Sequence, residues 1–155
     1  MLFLDTSVLI KVYFEEAGSG AIIARSTAPN QVLAASVLSF AEVHSAMARK
    51  YRTREINSKE LSRLRVTFER DWEILVNAVE LNRHTMAVLP ALVERHSLKA
   101  ADAIQLSAAL WLKNNMDTGK YSGAGQILEF GVSDQNLADC ARKCGLVVFN
   151  PEDEI

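Results

Sequence analysis

Long apolar runs are absent from this sequence. No stretch approaches the ~20 apolar residues that a membrane-spanning helix needs, and the first residues show no basic segment leading into a long apolar one. Both absences point to a cytoplasmic protein with no membrane partner. Cysteine is scarce: Cys140 and Cys144 stand one helical turn apart with no second pair, which excludes a disulfide framework and a zinc knuckle. Such a pair reads as two reduced, partly buried thiols. The three histidines, His44, His84 and His96, fall in separate segments, without H-x-x-x-H or Cys/His spacing. There is no glycine-rich phosphate loop and no G-x-S-x-G elbow. A net charge of −2 also argues against a surface that binds polyanions everywhere.

What the chain does contain is enough for a core: 155 residues, 49% of them hydrophobic. One domain over residues 1–150 is expected, followed by an acidic tail over 151–155. The modest net charge hides an uneven distribution. Residues 49–70 hold eight basic side chains against three acidic ones, while the remainder holds nine basic and sixteen acidic. A basic stripe on an acidic body suits a protein that grips phosphates with one face, although a solvated helix face of mixed sign is the structural alternative. Arg49, Lys50, Arg52 and Arg54 open that stripe.

Strand and helix patterns alternate along the chain. Leu2-Phe3-Leu4 ends in Asp5-Thr6-Ser7, as a strand buried on both faces ends at a helix start. Gln31–Ala35 reads as a second strand, and Ser36 or Ser39 as the cap of a helix running to about Tyr51. Asn57 and Glu60 fit a capping box. Ile74–Val79 reads as a third strand or as more helix, and its β-branched content favours strand. Residues 83–96 are helical in pattern, with Pro90 expected to kink or restart the helix. Ala100–Lys113 is a helix rich in Ala and Leu, and Asn114–Gly125 a polar exposed loop. Ile127–Ser133 reads as a strand, 134–143 as a helix stopped by Gly145, and Leu146–Phe149 as the last strand. This alternation calls for an α/β fold with a parallel sheet covered on both sides.

Four carboxylates occupy the same edge of such a sheet. Asp5 and Asp134 follow strands; Glu42 and Asp102 lie near helix N-termini, which face the strands' C-terminal ends, where ligands bind in open α/β sheets. Each has a purely structural account. Asp5 and Asp134 are good N-caps, Ser39 and Glu42 fit a capping box, and an acid at Asp102 favours the helix dipole. Together they would repel one another, and a divalent cation relieves that. Oxygen ligands without His or Cys favour Mg²⁺ or Mn²⁺ over Zn²⁺.

Four blocks of the chain resemble the PIN-domain family, most closely its VapC-type ribonuclease toxins. They are Leu4-Asp5-Thr6-Ser7-Val8-Leu9-Ile10, Phe40-Ala41-Glu42-Val43, Leu98-Lys99-Ala100-Ala101-Asp102-Ala103-Ile104-Gln105-Leu106 and Val132-Ser133-Asp134-Gln135-Asn136-Leu137. The resemblance implies a three-layer α/β/α fold with five parallel strands in the order 3-2-1-4-5. It implies Asp5 and Asp102 as principal ligands of Mg²⁺ or Mn²⁺, Glu42 and Asp134 completing the acidic cluster, and Ser7 and Ser133 as polar supports. The implied activity is metal-dependent endoribonuclease cleavage, with Arg49, Lys50, Arg52 and Arg54 on the RNA backbone. The implied partners are RNA, a small cognate antitoxin and a second copy in a homodimer. A stand-alone PIN nuclease of RNA processing and a catalytically silent PIN-fold binding module are the alternatives. A haloacid-dehalogenase-type phosphatase would need a second Asp where Ser7 stands. Two features depart from the simplest members: the long polar insertion around Asn114–Gly125, and Gln105 at a position where His is frequent.

Overall fold

The computed structural model describes residues 1–116 and 127–153. Five short strands, β1 (Leu2–Leu4), β2 (Leu33–Ser36), β3 (Val76–Val79), β4 (Glu129–Gly131) and β5 (Val147–Phe149), form one parallel sheet in the order β3-β2-β1-β4-β5. The register pairs Phe3 with Ala34 and with Phe130, which makes β1 the central strand. Its residues are all buried because both faces are covered. Successive side chains alternate between two cores: Leu2 and Leu4 enter one, Phe3 the other.

The first core lies under α1 (Thr6–Leu9), α2 (Ser19–Ser26), α3 (Val37–Arg52) and α4 (Ser58–Leu75). Its densest part is aromatic, with Phe68 against Tyr13, Phe40 and Trp72 at ring-centre distances of 5.3, 5.5 and 5.8 Å. The second core lies under α5 (Arg83–His96), α6 (Ala100–Asn115) and α7 (Gln135–Lys143), and holds Leu106, Leu112, Leu137 and Phe130. The result is the three-layer α/β/α arrangement, with the strand order that the resemblance implies.

Several boundaries differ from the sequence pattern. Ile74 and Leu75 belong to the last turn of α4, not to β3, and are 71% and 55% exposed. Their β-branched and aliphatic character is overridden because they lie outside the sheet's cover. α5 continues through Pro90 without restarting. Pro90 costs one backbone rung, to the carbonyl of Met86, and both residues are exposed, so water can satisfy that group. Asn114 and Asn115 extend α6; the rest of the expected polar loop, 117–125, lies outside the described residues. The strand expected over Ile127–Ser133 is ordered as β4 only across Glu129–Gly131.

The chain end is held to the first core. Gly18, at φ +83°, sits so close to Pro151 that an added Cβ would lie 2.8 Å from that residue's carbonyl carbon and oxygen. Beside it, the buried Lys11 ammonium donates to the Ala17 carbonyl at 2.8 Å and to Glu152 at 2.7 Å.

Candidate active site

Each acid is placed by a different local device. Asp5 leaves β1 with extended backbone and caps α1. Its Oδ2 accepts from the Ser7 amide at 2.9 Å and from the Ser7 hydroxyl at 2.6 Å. The Ser7 Oγ in turn accepts from the Ser133 amide at 3.0 Å, which ties the loop after β4 to the first turn of α1. Ser133 makes this bond with its backbone amide, whereas Ser7 uses its side chain. Asp5 is 6% exposed. Burial pushes its pKa up to about 6, opposed by the Ser7 hydrogen bonds and assisted by the charge of Glu42.

Glu42 arrives differently from the capping box expected with Ser39. The cap of α3 is Ser36, whose hydroxyl accepts from the Leu38 amide at 3.2 Å. The helix therefore begins three residues earlier, and Glu42 lies in its second turn. Ser39 and Glu42 face inward to other elements. Thr6 donates to Glu42 Oε2 at 2.5 Å, and its Oγ1 lies 3.0 Å from Ser39 Oγ. The Gln105 amide nitrogen reaches Thr6 Oγ1 and Ser39 Oγ at 2.9 Å and Glu42 Oε2 at 3.0 Å.

Asp102 occupies the first turn of α6 and is half-buried. Its pKa is raised, first by burial and then by the charge of Asp134; Lys99 opposes this and Glu42 adds to it. Asp134 caps α7, accepts from the Leu137 amide at 2.8 Å, and is exposed. The four carboxylates are thus coupled in a chain. Glu42 acts on both Asp5 and Asp102, and Asp134 on Asp102. Among the described residues no three Asp, Glu, His or Cys side chains are drawn close enough to form a finished ion cage. The donor set nonetheless fits a hard cation: oxygen atoms only, one of them on a buried acid whose ionisation the fold disfavours.

A groove of about 490 Å³ is lined by Thr6, Ser7, Glu42 and Ser133 together with the basic Lys11, Arg49 and Lys50; of the four acids, Glu42 is the one in its wall. Lys50 is already engaged: it pairs with Glu55 at 3.1 Å and Glu16 at 3.5 Å, and lies 4.9 Å from the Phe14 ring centre. Arg52 and Arg54 line a separate hollow with Glu55 and Glu60. The four basic residues read together from sequence therefore divide between two surfaces.

Pattern reading missed Thr6, Ser39 and Lys11 as parts of this region, and read Gln105 only as a departure from the family. Gln105 carried a usable signal: it is polar, three residues beyond Asp102, and next to Leu106 on a helix rich in Ala and Leu. The thiols stand apart. Burial raises the pKa of both, and Cys144 Sγ lies 3.7 Å from His96 Nε2.

Comparison with known proteins agrees with the fold. Residues 2–117 match the sequence model of the PIN domain. The chain is 30% identical over 113 residues to Ribonuclease VapC45 of Mycobacterium tuberculosis (strain CDC 1551 / Oshkosh), covering 71% of this chain and 75% of that protein. Ribonuclease VapC49 of strain ATCC 25618 / H37Rv matches to the same extent. Among solved structures, the fold resembles a toxin–antitoxin complex from Klebsiella pneumoniae, with TM-score 0.63 at 19% identity over 97% of this chain and 98% of that one. It also resembles VapBC2 from Rickettsia felis bound to a DNA fragment from their promoter, with TM-score 0.62 at 13% identity over the same shares.

Proposed function

The chain belongs to the PIN-domain family, and on that premise we propose that it is a metal-dependent endoribonuclease, the toxin of a toxin–antitoxin pair. The observation that carries the chemistry is the buried Asp5 at the end of the central strand, electrostatically coupled to Glu42, with Glu42 and Asp134 both raising Asp102. The names of the two mycobacterial ribonucleases support the reaction class. The toxin–antitoxin complexes of the same fold support a small antitoxin as partner.

In this reading Asp5 and Asp102 hold Mg²⁺ or Mn²⁺, with Glu42 and Asp134 helping directly or through water. A divalent ion there supplies an acidified water and charge compensation for phosphodiester hydrolysis. The protein's own part is placement. Ser7 holds Asp5 Oδ2 in one orientation, the Ser7–Ser133 bond keeps the loop that carries Asp134 against it, and no side-chain nucleophile is required. Arg49 and Lys50 lie along the groove where an RNA backbone would approach the acids, so binding should weaken with salt. Residues 1–150 act as the one nuclease domain, in the cytoplasm, and as a homodimer.

The test is cleavage of single-stranded RNA by the purified chain, with Mg²⁺ or Mn²⁺ and with excess chelator. Cleavage that chelator abolishes and added metal restores supports the proposal. Cleavage unaffected by chelator, or none under any metal, overturns it.

A further inference from the structure

Gln105 is 1% exposed and belongs to none of the chemistry described so far. It lies on α6, yet its amide nitrogen reaches α1 through Thr6 and α3 through Ser39 and Glu42. The amide has two hydrogens for these three oxygens, so the bonds are shared. Its carbonyl Oε1 has no hydrogen-bond partner among the described residues, a cost that folds carry where geometry is worth more than satisfaction. The amide cannot simply turn over to relieve it, because Oε1 would then face the Glu42 carboxylate, acceptor against acceptor.

We propose that Gln105 is a positioning residue for Glu42. It ties Oε2, together with Thr6, and leaves Oε1 without a partner among the described residues, so one carboxylate oxygen is fixed and the other is available to a cation. A neutral donor suits this task. Lysine or arginine in its place would neutralise Glu42 and compete with the ion; an amide orients the carboxylate and leaves its full negative charge in place. Because Gln105 stands three residues beyond Asp102 on one rigid helix, the same contact sets the distance between the acid of α3 and the acid of α6. The inference rests on the metal-dependent reading above.

The experiment is calorimetric titration with Mn²⁺ of the wild type, Gln105→Met, Gln105→His, Glu42→Gln and the double variant Glu42→Gln/Gln105→Met, with RNA cleavage measured beside it. Gln105→Met keeps the volume and removes the donor; it should weaken Mn²⁺ binding about tenfold. It should also lower kcat at subsaturating metal while the KM for RNA stays unchanged. Gln105→His, which restores a ring N–H donor, should recover most of the affinity. In the Glu42→Gln background the loss of Gln105 should cost nothing more. Should Gln105→Met fail to fold, Gln105→Asn, too short to reach Glu42, takes its place against Gln105→His. Wild-type Mn²⁺ affinity in the donor-free variant, an additive loss in the double variant, or no Mn²⁺ uptake by the wild type overturns the proposal. A wild type that binds Mn²⁺ but cuts no RNA sinks the nuclease reading alone, since the affinity comparison needs no cleavage.

Discussion

The Asp5 amide donates to the Gly131 carbonyl at 2.9 Å, one rung beyond the Leu4–Gly131 pair at the C-terminal end of the β1–β4 ladder. That bond carries the sheet's hydrogen bonding into the site. Both chains leave the ladder at the same level, and the Ser133 amide then reaches Ser7 Oγ. Residues 126 apart in sequence become neighbours, through backbone between Asp5 and Gly131 and through the Ser7 hydroxyl at Ser133. The carboxylate that follows is buried, with its Oδ2 saturated by Ser7. An acid held this rigidly is poor at escaping its like-charged neighbours, which is the condition under which a dication binds well.

Asp5→Asn should abolish cleavage and stabilise the metal-free protein at pH 7.5. The amide oxygen can still accept from Ser7, while the buried charge and its repulsion with Glu42 disappear. A gain of about 1–3 kcal/mol is expected. Urea denaturation in the presence of chelator measures it; an unchanged or lower midpoint contradicts the burial argument, and wild-type cleavage contradicts the assignment of Asp5.

Metal-free stability should fall as pH rises from about 4 to about 6. Asp5 holds its proton up to about 6 in the folded state and loses it near 3.8 when unfolded. Between those values the folded form binds more protons, so raising the pH favours unfolding, by at most about 3 kcal/mol for this group. Above about 6 the loss is complete. Saturating Mn²⁺ at neutral pH should reverse it, because the cation favours the ionised carboxylate. Denaturation curves across this window, with Asp5→Asn as the control that lacks the slope, check the prediction.

Arg49 and Arg52 should behave differently although they are three residues apart on α3. Arg49 lines the groove that leads to Glu42, and Arg52 lines a separate hollow. Arg49→Ala should raise the KM for RNA, leave kcat within about twofold, and reduce the salt slope of binding by about 1. Arg52→Ala should do little to any of these. Fluorescence anisotropy with labelled RNA at several salt concentrations, on the catalytically dead Asp5→Asn background, compares the salt slopes, and cleavage kinetics of the single variants compare KM and kcat.

Gly18→Ala should destabilise the fold by about 2 kcal/mol or more. The residue sits at φ +83°, and the new Cβ would press on the Pro151 backbone at 2.8 Å. Relief requires moving the segment that carries Glu152, which is bonded to the buried Lys11. Thermal denaturation against the wild type measures the cost, and a neutral result would show that the chain end is not held as described.

The positions of strands and helices were legible from short-range signals alone. Apolar runs buried on both faces marked β1 and β2, the Asn57–Glu60 box marked the start of α4, and Gly145 the end of α7. Those patterns act within one or two turns of chain, so they can be read without knowing the fold. The same locality explains the errors. Ser39 and Glu42 satisfy the capping pattern as well as Ser36 does, and only the packing of α3 against α1 and α6 decides that they turn inward to Thr6 and Gln105. Residues 74–75 resemble strand until their exposure at the end of α4 is known. The basic stripe is continuous in sequence, yet helix geometry sends its members to separate surfaces. Sequence determined which acids stand at the sheet's C-terminal edge. Tertiary structure decided which are buried, which repel one another and which neutral side chain holds Glu42, because burial and charge coupling depend on contacts between residues far apart in the chain, which no local pattern encodes.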